Sequence, residues 1–179
     1  MPELSDLEYQ RFLQMLDTEA IRNVIMRYSR AIDRMDADLL RTVYWPDGWD
    51  SHSIFEGPVD EFIPWVIGTL NRMVSTQHFL GNVSIELEEE HAYTEVYFIA
   101  HHKVAEQDGS QRDSIAAGRY LDHFERRGDE WRIKHRRAIF DWDLNQASTS
   151  NWDRSPAKDA MERGVRGQED LVYDRAHFK

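Results

Sequence analysis

The chain has 179 residues, 41% of them apolar and 12% aromatic, which suffices for one sizeable core and gives no sign of a second. A formal charge of −11, with no Lys/Arg stripe interleaved with aromatics, repels phosphate backbones and excludes a nucleic-acid partner. The absence of cysteine excludes disulfides, thiolate metal sites and a cysteine nucleophile, and it fits a reducing cytoplasm.

The first residues, MPELSDLEYQRFLQMLD, lack a basic segment followed by an apolar one, and no run approaches the ~20 apolar residues of a membrane span. A soluble, cytoplasmic protein without a membrane partner is expected. Ser5 and Glu8 have the spacing of a capping box and predict a helix to about Leu16. Asp17 and Thr18 offer a fresh N-cap for a second helix, along which Ile21, Val24, Ile25, Tyr28, Ile32 and Met35 mark one buried face. A short third helix is expected from Ala37 to Tyr44. WPDGWD, Trp45 to Asp50, then breaks the helical period, SHSIF is short and extended, and Gly57-Pro58 opens a helical stretch to about Met73.

From there the period changes to two. Strands are predicted over Thr76 to Leu87, Ala92 to Ala105, Ser114 to Arg126 and Glu130 to Trp142, separated by the polar turns EEEH, EQDGSQRD and RRGD. Helices followed by a meander of long strands mean an α+β fold, with the helices packed on one face of a curved antiparallel sheet. The residues after Leu144 are polar, with scattered aromatics such as Trp152 and Tyr173. They hold too little apolar surface for a core, so they are disordered or lie across the protein's own pocket or a neighbouring subunit.

Eight histidines invite a metal, yet neither H-E-x-x-H nor a Cys/His ligand spacing is present, and the adjacent His101 and His102 point to opposite faces of their strand. No metal is expected. There is also no G-x-G-x-x-G, no P-loop and no G-x-S-x-G elbow, which leaves acid–base chemistry without a cofactor. A histidine held by a carboxylate performs such chemistry, because the carboxylate fixes the tautomer and stabilises the imidazolium. Residue types alone do not select the pair. A tyrosine on an apolar helix face such as Tyr28 is commonly core, a helix-end aspartate such as Asp33 is commonly solvated, and a histidine at a strand entry such as His78 is commonly structural.

The segments EAIRNVIMRYSRAIDRMD, YWPDG, TQHFLGN and AAGRYLDHFERRGDEWRIKHR together resemble the SnoaL-like branch of the nuclear transport factor two-like superfamily, over about residues 15 to 143. The resemblance implies a cone-shaped, cystatin-like α+β barrel over residues 1–143, followed by a tail over 144–179. Members include scytalone dehydratase, bile acid 7α-dehydratase, hexachlorocyclohexane dehydrochlorinase and a cofactorless diarylpropane lyase of lignin catabolism. Transferred onto this chain, the family pattern puts Asp33 and His78 in the place of an Asp-His dyad and Arg136 in the place of a pocket arginine. Tyr28 stands where the bile acid dehydratase has a tyrosine and the dehydrochlorinase a lysine, which weakens a dehalogenase reading. The bile acid enzyme also carries a carboxylate on the strand after its histidine strand, where this chain has about His101.

Two features of the pattern stay open on sequence alone. Five residues along an ideal helix is about 140° of rotation, so a core-facing Tyr28 turns Asp33 away unless the helix is walled on two sides or distorted at its end. On the strand from Ala92 to Ala105, Val96, Phe98 and Ala100 share one face, Tyr97 and His101 the other, and either could line the pocket. Tyr97, His101, His52, Trp45 and Trp49 are the expected substrate-binding residues around the catalytic set Asp33, His78, Tyr28 and Arg136. The resemblance implies a lyase acting on an apolar, aromatic or polycyclic small molecule, by loss of water or by retro-aldol loss of formaldehyde. It also implies a homo-oligomer, a trimer as in the dehydratases. The same cone serves as the non-catalytic small subunit of ring-hydroxylating dioxygenases and as a ligand-binding module, which is the alternative.

Overall fold

The computed structural model describes residues 4–150, 155–156 and 158–178; Trp152 lies outside them. Helix α1 runs unbroken from Asp6 to Asp33, where two helices were expected. Its start is the predicted capping box, with Ser5 accepting from the Glu8 amide and the Glu8 carboxylate accepting from the Ser5 amide. Asp17 does not cap a second helix because its carboxylate accepts the Trp131 indole N–H at 2.7 Å, while the Thr18 hydroxyl donates back to the Gln14 carbonyl at 2.8 Å. With no Gly or Pro between Ser5 and Asp33, nothing interrupts the backbone ladder. The first half of α1 is exposed, and the core-facing stripe begins at Ile21.

Helix α2 is short, Ala37–Arg41, capped by the Asp36 side chain on the Leu39 amide. Tyr44, expected at its end, instead opens strand β1, Tyr44–His52, and WPDGWD, which breaks the helical period, lies within that strand. Pro46 is tolerated because β1 is irregular there. Its parallel register with β6 shifts between Tyr44 and Trp49, so no ladder N–H is lost at the proline. Strand β2, Phe55–Pro58, folds back on β1, and helix α3, Val59–Asn71, follows.

The four long strands arrive where the period-two pattern put them: β3 Ser75–Glu88, β4 His91–Ala105, β5 Gln111–Arg127 and β6 Glu130–Ala147. The six-stranded sheet has the order β2-β1-β6-β5-β4-β3, antiparallel except at the β1–β6 pairing. Register shifts at Leu80/Val83, Ala117/Gly118 and His123/Phe124 mark bulges, which bend a sheet. At Gly118 the β6 backbone comes so close that a Cβ would lie 1.9 Å from the Ile139 carbonyl oxygen. The core fills the concave side, where α1 and α3 lay Ile25, Ile32, Phe62 and Leu70 against Val96, Phe98, Tyr120 and Ile133.

Strand β6 continues to Ala147, past the expected domain end at 143. Part of the tail packs against the body: Arg34 pairs with Asp170 at 2.7 Å, Tyr173 donates to Asp36 at 2.8 Å, and Arg166 donates to the Leu70 and Met73 carbonyls. Among the described residues no helix is long and apolar enough to cross a membrane.

Candidate active site

Between α1, α3 and the concave face of the sheet lies a cavity of about 320 Å³. Ile32, Trp65, Val66, Leu70, Phe98 and Phe140 give it an apolar wall. Its titratable groups are few and come from separate elements: Tyr28 on α1, His52 at the end of β1, His78 on β3, His102 on β4 and Tyr120 on β5. An apolar chamber with a few converging polar groups is the usual form of a small-molecule site.

His78 enters the cavity through strand alternation. It pairs with Ala100 and its face continues through Leu80, opposite Phe98, so the bulge at Leu80/Val83 lies beyond the site. Asp33 is the last residue of α1, and its carboxylate meets the start of β3 twice: Oδ1 is 2.8 Å from His78 Nδ1, and Oδ2 accepts the His78 backbone N–H at 2.7 Å. Both side chains are buried, at 7% and 11% exposure. Burial pushes the Asp33 pKa up, but the hydrogen bonds and charge of His78 outweigh it and hold the carboxyl below its ordinary value. With Nδ1 engaged, Nε2 is the ring nitrogen left for the cavity. The helical difficulty resolves as a helix walled on two sides: Tyr28 and Ile32 face the cavity, and Asp33 at the terminus faces β3.

Tyr28 is buried, and its hydroxyl lies 3.4 Å from His52 Nε2. Burial raises its pKa well above the ordinary phenol value, so it stays a neutral donor. His52 Nδ1 is in turn hydrogen-bonded to Asp50, whose other oxygen accepts the Tyr44 hydroxyl at 2.7 Å. His102 stands edge-on to His78 with ring centroids 5.4 Å apart. Burial, followed by the charge of His78, lowers its pKa to about 4, so the imidazole is neutral at pH 7.

Arg136 does not line the cavity. It is fully buried beneath it, paired with Asp122 through two 2.7 Å hydrogen bonds, and its guanidinium carbon lies 4.0 Å from the centroid of the Tyr28 ring and 4.2 Å from that of Tyr120. Between Arg136 and the cavity stand the rings of Tyr28 and Tyr120, which line it. Of the expected binding residues only His52 reaches the cavity. Tyr97 and His101 point outward, because the even-numbered face of β4 carrying Val96, Phe98 and Ala100 is the inner one. His101 pairs with Asp113 at 3.0 Å on the outside. Trp45 is held under Arg127 and Arg132, and Trp49 is 41% exposed on β1.

Sequence reasoning missed Asp50, His102 and Tyr120. Strand parity carried the signal for two of them: His102 has the parity of Phe98 and Ala100, and Asp50 shares a strand face with His52. Among the described residues the group able to hold a metal is His91, His123 and Glu125, outside the cavity, where Arg127 already binds the Glu125 carboxylate at 2.6 Å.

Comparison with known proteins agrees with this architecture. No curated protein matches the chain at a significant level. A Novosphingobium aromaticivorans protein provisionally named scytalone dehydratase superposes with a TM-score of 0.64 at 21% identity, covering 73% of this chain and 88% of its own. The hexachlorocyclohexane dehydrochlorinase LinA-type3 from Novosphingobium barchaimii gives 0.67 at 13% identity, covering 74% and 92%. The β subunit of an aromatic-ring-hydroxylating dioxygenase, so named provisionally, from Novosphingobium aromaticivorans gives 0.58 at 18%, covering 73% and 92%. These likenesses establish a shared cone fold and leave the reaction to the residues of the site. Residues 14–137 match the model of the SnoaL-like domain, and the chain belongs to that family.

Proposed function

We propose that the protein is a cofactor-independent lyase acting on an apolar, aromatic small molecule. His78, held by Asp33, removes a carbon-bound proton, and the Tyr28 hydroxyl donates to the oxygen that departs or gains charge. The observation that carries this reading is the buried 2.8 Å contact between His78 Nδ1 and Asp33 at the wall of an apolar cavity, with Nε2 left available. Arg136 is assigned a positioning role, because a cation against the ring faces of Tyr28 and Tyr120 favours electron density moving onto the phenols.

Loss of water begins with the carbon-bound proton, whereas retro-aldol loss of formaldehyde begins with the hydroxymethyl O–H proton, whose bonding pair forms the formaldehyde C=O as the C–C pair stays with the aromatic fragment; the same base serves both. A non-catalytic subunit would have no use for paired carboxylates and imidazoles opening onto an apolar chamber, each of which costs desolvation. We further propose that the protein is a homo-oligomer, a trimer, formed through the outer sheet surface. The test of the catalytic reading is a panel of aromatic alcohols with an acidic C–H beside a hydroxyl or hydroxymethyl group, followed for alkene formation and formaldehyde release. Turnover should fall roughly 10²–10⁴-fold in His78→Gln with the fold intact. Near wild-type turnover in that variant would remove His78 from the chemistry.

A further inference from the structure

The cavity has a second carboxylate–imidazole pair that the base reading leaves unused. Asp50 and His52 sit two apart on β1 and so share a strand face, while His78 lies on β3, at the other end of the sheet order. Both histidines open onto the same cavity. Asp50 is fully buried, and each of its oxygens is engaged, one by His52 Nδ1 and one by the Tyr44 hydroxyl. A carboxylate so placed is compensated only if a proton stays on His52 Nδ1. That leaves Nε2 facing the Tyr28 hydroxyl.

Tyr28 needs such a partner. A buried phenol with a raised pKa keeps its proton and can donate a hydrogen bond, but giving that proton up outright would leave a buried phenolate whose neighbouring cation, Arg136, is already paired with Asp122. An imidazolium behind it replaces the proton as it leaves. Building on the lyase reading above, we infer that Asp50–His52 is a second acid–base pair of this site, returning a proton through the Tyr28 hydroxyl to the departing oxygen while His78 takes one from carbon. In dehydration the C–H electron pair becomes the new C=C bond and the C–O bond breaks toward oxygen. That oxygen takes the Tyr28 proton, Tyr28 recovers one from His52 Nε2, and water leaves. His78 ends protonated and His52 neutral, and solvent exchange resets both. The substrate class follows: an alcohol, whose basic leaving oxygen needs an acid, rather than a halide that departs as a stable anion.

Benzisoxazoles are suitable probes, being flat aromatics in which removal of the C3 proton breaks the ring N–O bond to give a nitrile and a phenolate. The 5-nitro compound releases a stabilised phenolate that needs no acid, and the unsubstituted one releases a more basic oxygen. His52→Gln should slow the unsubstituted probe at least tenfold more than the nitro probe, and Asp50→Asn should act in the same direction, whereas His78→Gln should slow both alike. An equal effect of His52→Gln on the two probes, or none, overturns the inference and leaves His78 as base. Indifference of both probes to His78→Gln overturns the underlying reading, and no elimination by the unaltered protein overturns both. Long-range 15N–1H NMR of the unaltered protein gives a measure free of folding defects. In the resting protein His52 should carry protons on both Nδ1 and Nε2, and a neutral ring of either tautomer would sink the pair.

Discussion

Asp33 differs from an ordinary helix-end aspartate in having both oxygens committed to a single residue, the ring and the backbone of His78. Asp33→Asn keeps the shape but exchanges an acceptor for a donor opposite Nδ1, favouring the wrong imidazole tautomer. A kcat loss of about 10²–10⁴-fold is expected, read on whichever substrate the panel yields. Tyr28→Phe should cost about 10²–10³-fold if the hydroxyl donates to the reacting oxygen, and almost nothing if the ring only packs. His102 makes a separate prediction about stability. Its folded pKa of about 4 lies below the unfolded value of 6.5, so the unfolded chain binds the proton first and stability is lost as pH falls through that window. The loss from this group between pH 6.5 and 4 should approach about 3 kcal/mol. Urea unfolding of the protein and of His102→Asn at both pH values checks it, the variant being expected to lose less.

Among the elements, the β5–β6 pairing depends on one glycine. The close approach of Ile139 to Gly118 accompanies the register shift at Ala117/Gly118, below the strand positions that deliver Tyr120 and Arg136. Gly118→Ala has to push β6 away, and about 1–3 kcal/mol of stability should be lost, seen as a lower Tm, with activity falling too because Arg136 moves relative to Tyr28. On α1, Asp17 shows why a local capping signal fails. The residue type and position were right for an N-cap, but the Trp131 indole, brought in by β6 from 114 positions away, took the carboxylate. Local pattern could not weigh that partner.

At the scale of the whole molecule, the outer sheet face exposes Phe79, Tyr97, Ile99 and Trp142, and the projecting start of α1 exposes Leu7, Phe12 and Met15. Apolar surface of this extent marks an interaction face. Light scattering at micromolar concentration should therefore give a multiple of the 21.2 kDa chain mass, with a trimer as the expected state. A clean monomer would refute it. Charge substitution at exposed Ile99 should then lower the mass without unfolding the chain.

The amino-acid sequence by itself determined the long strands, the helices before them and the α+β class, because hydrophobic period is a local property that burial on one face enforces. Strand parity even held the information that His102, not His101, faces inward. The family pattern supplied Tyr28, Asp33 and His78 as expectations, but which residues meet around one cavity was decided only by tertiary structure. Tyr28, His52 and His78 are separated by dozens of residues, and their meeting depends on how far the sheet curls and on where α1 ends, both set by bulges and by packing against partners distant in the chain. Arg136 illustrates the same limit. Its place in the pattern was legible, yet whether a buried cation turns toward a ligand or toward a carboxylate depends on the nearest compensating charge, and Asp122 on the neighbouring strand supplies it.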